Sequence, residues 1–132
     1  MIVDTSALVA ILKREPGWEA FAAILDSANS ASISASTYVE LAIVADRWKS
    51  PSLSRRVDEL LEQFQIEIEP FTREQAQIAR QAYRDYGRGS GHPANLNFGD
   101  CFSYALAREK REPILYKGDD FLHTDLRSAI AQ

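Results

Sequence analysis

Cysteine is nearly absent: Cys101 is the single one in 132 residues. A lone cysteine forms no internal disulfide and builds no thiolate cage for zinc, and it fits a cytoplasmic setting. Histidine is scarce, with only His92 and His123. No apolar run approaches the ~20 residues that a membrane helix needs. The Met1–Val3 run is far too short for a signal peptide and has no basic segment before it. Positive charge is in deficit, 15 basic against 19 acidic side chains, for a net charge of −4. Such a chain is a poor non-specific binder of nucleic acid. If it acts on RNA, either its acids cluster where a cation neutralises them, or a basic partner helps. Repeats, low-complexity tracts and linkers are missing too. With 45% hydrophobic and 26% charged residues, residues 1–132 read as one globular domain with a single real core.

What is present is a regular alternation of short apolar runs and helical patterns. Ile2 and Val3 are β-branched and suit a buried strand; Asp4, Thr5 or Ser6 then offers a capping oxygen to a helix. Glu15-Pro16-Gly17 breaks the chain, and Trp18, Phe21, Ala22 and Leu25 mark a second helix. Ala31–Ala35 is a strand candidate of small residues, followed by a helix from Ser36 to about Trp48. Leu53, Val57, Leu60, Leu61 and Phe64 outline an amphipathic helix. Ile66–Glu69 alternates with period two, as a half-exposed strand should. Thr72 and Gln75 have capping-box spacing ahead of a helix that runs to Gly87. Residues 88–96 are loop-like, Asn97 can cap a further helix, and Ile114-Leu115-Tyr116 is a short buried strand. The tail from His123 to Gln132 adds at most one short strand or helix. Strands alternating with helices predict a three-layer α/β/α sandwich around a mostly parallel sheet of four to five strands.

Four acidic positions fall at element ends: Asp4 after the first strand, Glu40 and Asp100 near helix starts, and Asp119 or Asp120 after the last strand. Element ends reach the rim of an α/β sheet, where such folds place their chemistry. Each acid also has a local explanation. Glu40 could close a capping box with Thr37, Asp100 could complement a helix dipole beneath Asn97, and Asp119 and Asp120 could be turn formers. If the acids converge, they repel one another and their pKa values rise unless a cation joins them. Oxygen ligands without cysteine suit Mg²⁺ or Mn²⁺. The chemistry indicated is metal-assisted phosphodiester hydrolysis.

Four blocks carry a family resemblance: Ile2-Val3-Asp4-Thr5-Ser6-Ala7, Ser36-Thr37-Tyr38-Val39-Glu40-Leu41, Asn97 to Ala105, and Pro113 to Phe121. In residues, order and length the chain resembles the PIN domain, specifically the VapC-type toxin ribonucleases of bacterial toxin–antitoxin pairs. The resemblance implies a Mg²⁺-dependent endoribonuclease acting on RNA, restrained by a cognate VapB-like antitoxin and forming a homodimer. It implies Asp4 and Asp100 as metal ligands, with Glu40 in the same cluster. The fourth acid precedes a phenylalanine, which points to Asp120, with Asp119 beside it as a possible support. Thr5 or Ser6 would hydrogen-bond at the site, and the Asp4 strand would lie next to the Asp120 strand. The antitoxin would cover the first helices, with Trp18, Phe21 and Trp48 as candidate contacts.

Other features carry less. His92 sits in a Gly/Pro loop, His123 follows Phe121, and Cys101 lies on the apolar face of its helix. Arg88-Gly89-Ser90-Gly91 lacks the lysine-bearing end of a P-loop. Lys117 either meets a phosphate or balances Asp119. A receiver domain would want two acids after the first strand. An aspartyl-phosphate phosphatase would want an aspartate where Ser6 stands. The remaining alternative is a non-catalytic partner- or RNA-binding module whose acids neutralise a basic partner.

Overall fold

The structure, a computed structural model, describes residues 1–130. Its elements are β1 (Ile2–Val3), α1 (Thr5–Lys13), α2 (Trp18–Ser27), β2 (Ala31–Ser34), α3 (Ala35–Arg47), α4 (Pro51–Gln63), β3 (Ile66–Glu69), α5 (Arg73–Tyr86), α6 (Asp100–Lys110) and β4 (Ile114–Leu115). The strands pair in parallel in the order β3-β2-β1-β4. Ser128 makes a parallel bridge to Ile114. The described tail therefore adds one bridging residue to the sheet edge instead of a strand or helix; residues 131–132 lie outside the described part.

Side chains alternate across the sheet, so neighbouring residues enter different cores. Val3, Ile33 and Leu115 pack with α1, α2, α3 and α4 on one face. Ile2, Ile114 and Tyr116 pack with α5 and α6 on the other. These are the three layers that the alternation predicted. Leu8, Leu12 and Phe21 are buried in the first core. Phe21 is thus a packing residue of this core. Trp18 and Trp48 are half-buried, under the cations of Arg14 and Lys13.

Helix starts follow local chemistry. Ser50 caps α4 ahead of Pro51, where the missing N–H costs nothing. The Thr72 hydroxyl accepts from Gln75 N at 3.2 Å, but the Gln75 amide donates to Pro70 O and Glu109 Oε1. Half of the expected capping box therefore forms, because Gln75 is drawn inward against α6. Among the described residues, no helix is long and apolar enough to cross a membrane.

Candidate active site

The order β3-β2-β1-β4 makes β1 the reversal point of the sheet. The chain leaves it toward β2 on one side, and β4 returns on the other. In open α/β sheets a crevice forms outside the carboxyl ends of the strands at this point. Asp4 stands there. Its backbone N–H donates to Leu115 O at 3.0 Å, which ties it to the end of β4. Its side chain caps α1 by accepting from Ser6 N at 3.1 Å. Ser6 Oγ donates to the same oxygen, Oδ2, at 2.7 Å, while Ser103 Oγ donates to Oδ1 at 2.6 Å. Thr37 Oγ1 lies 3.3 Å behind Ser103 Oγ. With the Ser103 proton committed to Asp4, Thr37 is the donor of that pair.

Glu40 is not the N3 residue of a capping box. Ser34 caps α3, accepting from Ser36 N, so Glu40 lies more than a turn inside the helix. It accepts a 2.7 Å hydrogen bond from Thr5 Oγ1 instead. The reciprocal box forms at Asn97 and Asp100. Asp100 N donates to Asn97 Oδ1 at 2.8 Å, and Asn97 N donates to Asp100 Oδ2 at 3.0 Å. Gly118 turns the chain after β4 at φ +97, a conformation that favours glycine. Beyond this turn Asp120 faces the same cavity as Asp4, Glu40 and Asp100, while Asp119 does not line it. That cavity, about 460 Å³, is also lined by Thr5, Ser6, Asn97, Glu15 and Lys117. Lys117 Nζ is paired with Glu15 at 3.2 Å, not with Asp119, and Lys117 N donates to Ser6 Oγ. His92 and His123 do not line the cavity. Cys101 is buried in the α5–α6 core, and burial pushes its thiol up to about 11.

The electrostatics follow from taking these acids out of water together. Burial raises the pKa of Asp4 against the lowering effect of Ser103 and Ser6. Asp100 is pushed up to about 8, first by burial and then by the charges of Asp4 and Asp120, despite the Asn97 N–H. Glu40 is raised by burial and by the charge of Asp4, against the Thr5 hydrogen bond. A cation would relieve all three, since each is strained in its charged form. The donors are hard oxygens, which matches Mg²⁺ or Mn²⁺. Among the described residues, no three His, Cys, Asp or Glu side chains form a ready-made metal cage. Both Asp4 oxygens and one Asp100 oxygen already accept protein hydrogen bonds. An open carboxylate set of this kind fits Mg²⁺, which keeps several waters and uses one or two carboxylates.

The sequence profile of the family described as PIN domain matches residues 1–126. The chain belongs to the PIN-domain family. Ribonuclease VapC28 of Mycobacterium tuberculosis is 53% identical to it over 130 residues, 98% of each chain. By structure it resembles VapC20 of Mycobacterium tuberculosis, a toxin that cleaves the sarcin-ricin loop (TM-score 0.73, 18% identity, 95% of each chain). It also resembles VapBC2 from Rickettsia felis bound to a DNA fragment from their promoter (TM-score 0.75, 14% identity, 96% of this chain and 95% of that one). Together these make it a VapC-type PIN domain with the expected α/β fold.

Three supports of this PIN domain's site escaped the sequence reading. Ser103 is fully buried among Cys101, Tyr104, Ala105 and Leu106. A hydroxyl in that apolar company, one turn after Asp100, was the available signal. Thr37 gave none, because its spacing to Glu40 reads equally well as a cap. Gly99 is the third. A Cβ there would collide with the Glu40 carboxylate, so glycine lets the Asp100 turn close on α3 with Glu40 left in place. Gly99→Ala is expected to fold, since a flexible carboxylate can move aside, and to lose more than about tenfold in activity as Glu40 leaves Thr5. Melting curves beside cleavage rates check this.

Proposed function

We propose that this VapC-type PIN domain is the ribonuclease toxin of a toxin–antitoxin pair, and that it hydrolyses RNA with the help of a divalent metal, Mg²⁺ or Mn²⁺. The observation that carries this is the convergence of Asp4, Glu40, Asp100 and Asp120 on one cavity at the sheet's reversal point. Asp4 and Asp100 would hold the metal, with Asp120 beside Asp100. The bound ion supplies acidity to water and offsets charge on the phosphate. Ser103 and Ser6 fix the plane of the Asp4 carboxylate, and the Asn97 N–H fixes one oxygen of Asp100. Outer hydrogen bonds of this kind aim carboxylates at a cation. Glu40 is held by Thr5 through Oε1. Its other oxygen takes the proton of the attacking water, a role suited by a pKa that burial raises. Lys117, tethered to Glu15 at the rim, can swing to a substrate phosphate.

A module that used its acids only to neutralise a basic partner would keep them exposed and ionised. Asp4 and Asp100 are buried, which favours the enzyme. The antitoxin would be a basic chain entering this cavity, where a cationic side chain stands in for the metal's charge. Trp18 and Trp48 are the partly exposed aromatics left to contact it. The homodimer is tested by light scattering.

Attack by water predicts independence from the RNA's own 2′-hydroxyl. A substrate with one 2′-deoxy residue at the cut is expected to be cleaved within a few fold of the all-ribose rate. Loss of cleavage on that substrate, with a cyclic phosphate on the normal product, contradicts water attack.

A further inference from the structure

Phe98 is 75% exposed, the most of any large hydrophobic side chain described. A single exposed ring needs no explanation, but this one is built in. It meets Phe102 in a T-shaped contact with centroids 4.9 Å apart, and Phe102 meets Phe71 in another at 5.1 Å. Its backbone is fixed on the following side, where Gly99 lies against Glu40 and Asp100 bonds back to Asn97. The ring therefore stands on an aromatic base, one residue from a point of contact with the acidic cluster. It flanks a cavity of about 530 Å³ floored by Val39, Ile43 and Phe102, with Arg47 at its edge. Glu40 and Val44 line both this cavity and the acidic one, so the two are neighbours with a shared wall.

We propose that Phe98 is a stacking platform for an RNA base next to the scissile phosphate. The inference rests on the ribonuclease reading above and adds a positioning residue to it. A phosphodiester drawn to the acidic side carries its neighbouring base about a nucleotide away, into the apolar cavity. Every base offers a flat face to an aromatic ring, so this contact tolerates sequence. Duplex RNA keeps its base faces covered and its major groove closed to side chains, and gives Phe98 nothing to meet. Arg47 adds a cation for the next phosphate along the strand. A contact between two copies of the chain fits less well, because the same cavity carries the Glu40 carboxylate at its edge.

The test is binding of a short single-stranded RNA carrying 2-aminopurine at its centre, and of the same strand annealed to its complement. Both are titrated with Ca²⁺ in place of Mg²⁺, so that a cation neutralises the acidic cluster, and a gel checks that the RNA stays intact. Wild type is expected to bind the single strand and quench its fluorescence. Phe98→Ala should weaken binding about tenfold and lose the quench, and Phe98→Trp should keep both. The duplex should bind weakly with no dependence on Phe98. Equal affinity and quench for Phe98→Ala overturn the proposal. So does a shift from dimer to monomer in light scattering of Phe98→Ala, which would make the ring a contact between copies. Wild type that binds through Phe98 yet cleaves no RNA with Mg²⁺ defeats the ribonuclease reading and leaves the platform standing. Unchanged kcat/KM for cleavage by Phe98→Ala defeats the platform alone.

Discussion

Asp100→Asn is expected to make the metal-free protein more stable at pH 8, by about 2 kcal/mol, or roughly 5–10 °C in Tm. Removing an acid usually costs a folded protein its hydrogen bonds. Here the sign reverses because Asp100 is buried beside Asp4 and Asp120 and its pKa is pushed up to about 8. An unfolded aspartate titrates near 4. The neutral form is favoured in the fold, so the stability tied to it is fully present below the unfolded value. It is lost as pH rises through about 8. Metal-free wild type should therefore weaken from pH 5 to pH 9, and the advantage of Asp100→Asn should shrink toward pH 4. The full shift would be worth more, but a side chain at an open cavity regains water when it ionises. Asparagine still accepts from Asn97 N–H. Mg²⁺ should raise the Tm of wild type at pH 8 and leave that of Asp100→Asn nearly unchanged. Thermal melts across pH, with Mg²⁺ or chelator, check both statements. A destabilised Asp100→Asn at pH 8 would show that the carboxylate is not under strain.

Ser103→Ala is expected to lower cleavage about 10- to 100-fold and to raise the Mg²⁺ concentration needed for half-maximal activity. Ser103 touches no substrate and lies at 0% exposure. Its Oγ donates to Asp4 Oδ1 and receives Thr37, so it would set the angle at which Asp4 meets the proposed cation. Alanine removes one oxygen without changing the packing of α6, and the fold should survive. Ser103→Thr, which restores a hydroxyl, should recover part of the activity. A Mg²⁺ titration separates this positioning role from simple loss of folded protein, because unfolding lowers the maximum without moving the midpoint.

Much of the frame was readable because periodicity reports burial. Ile2-Val3, Ile66–Glu69 and Ile114-Leu115 are strands, and the helices of the Leu53–Phe64 and Thr72–Tyr86 segments stand where the spacing put them. The position of Asp4 followed from strand chemistry alone. What spacing could not resolve was which of two equivalent local patterns closes. Thr37–Glu40 and Asn97–Asp100 both have capping-box separation, yet only the second closes, because α3 starts at Ala35 directly after β2. Gln75 forms half a box because Glu109, distant in sequence, competes for its amide. Asp119 and Asp120 differ by one position, and the Gly118 turn turns only Asp120 to the cavity. These outcomes depend on tertiary neighbours, which a local pattern does not contain.

The most direct measurement is cleavage of bulk cellular RNA by wild type beside Asp100→Asn, each with Mg²⁺ and with chelator. The four-acid site predicts discrete fragments from wild type with Mg²⁺ alone, and none from Asp100→Asn although that variant is folded. Fragments that persist in Asp100→Asn, or in wild type under chelator, would contradict it.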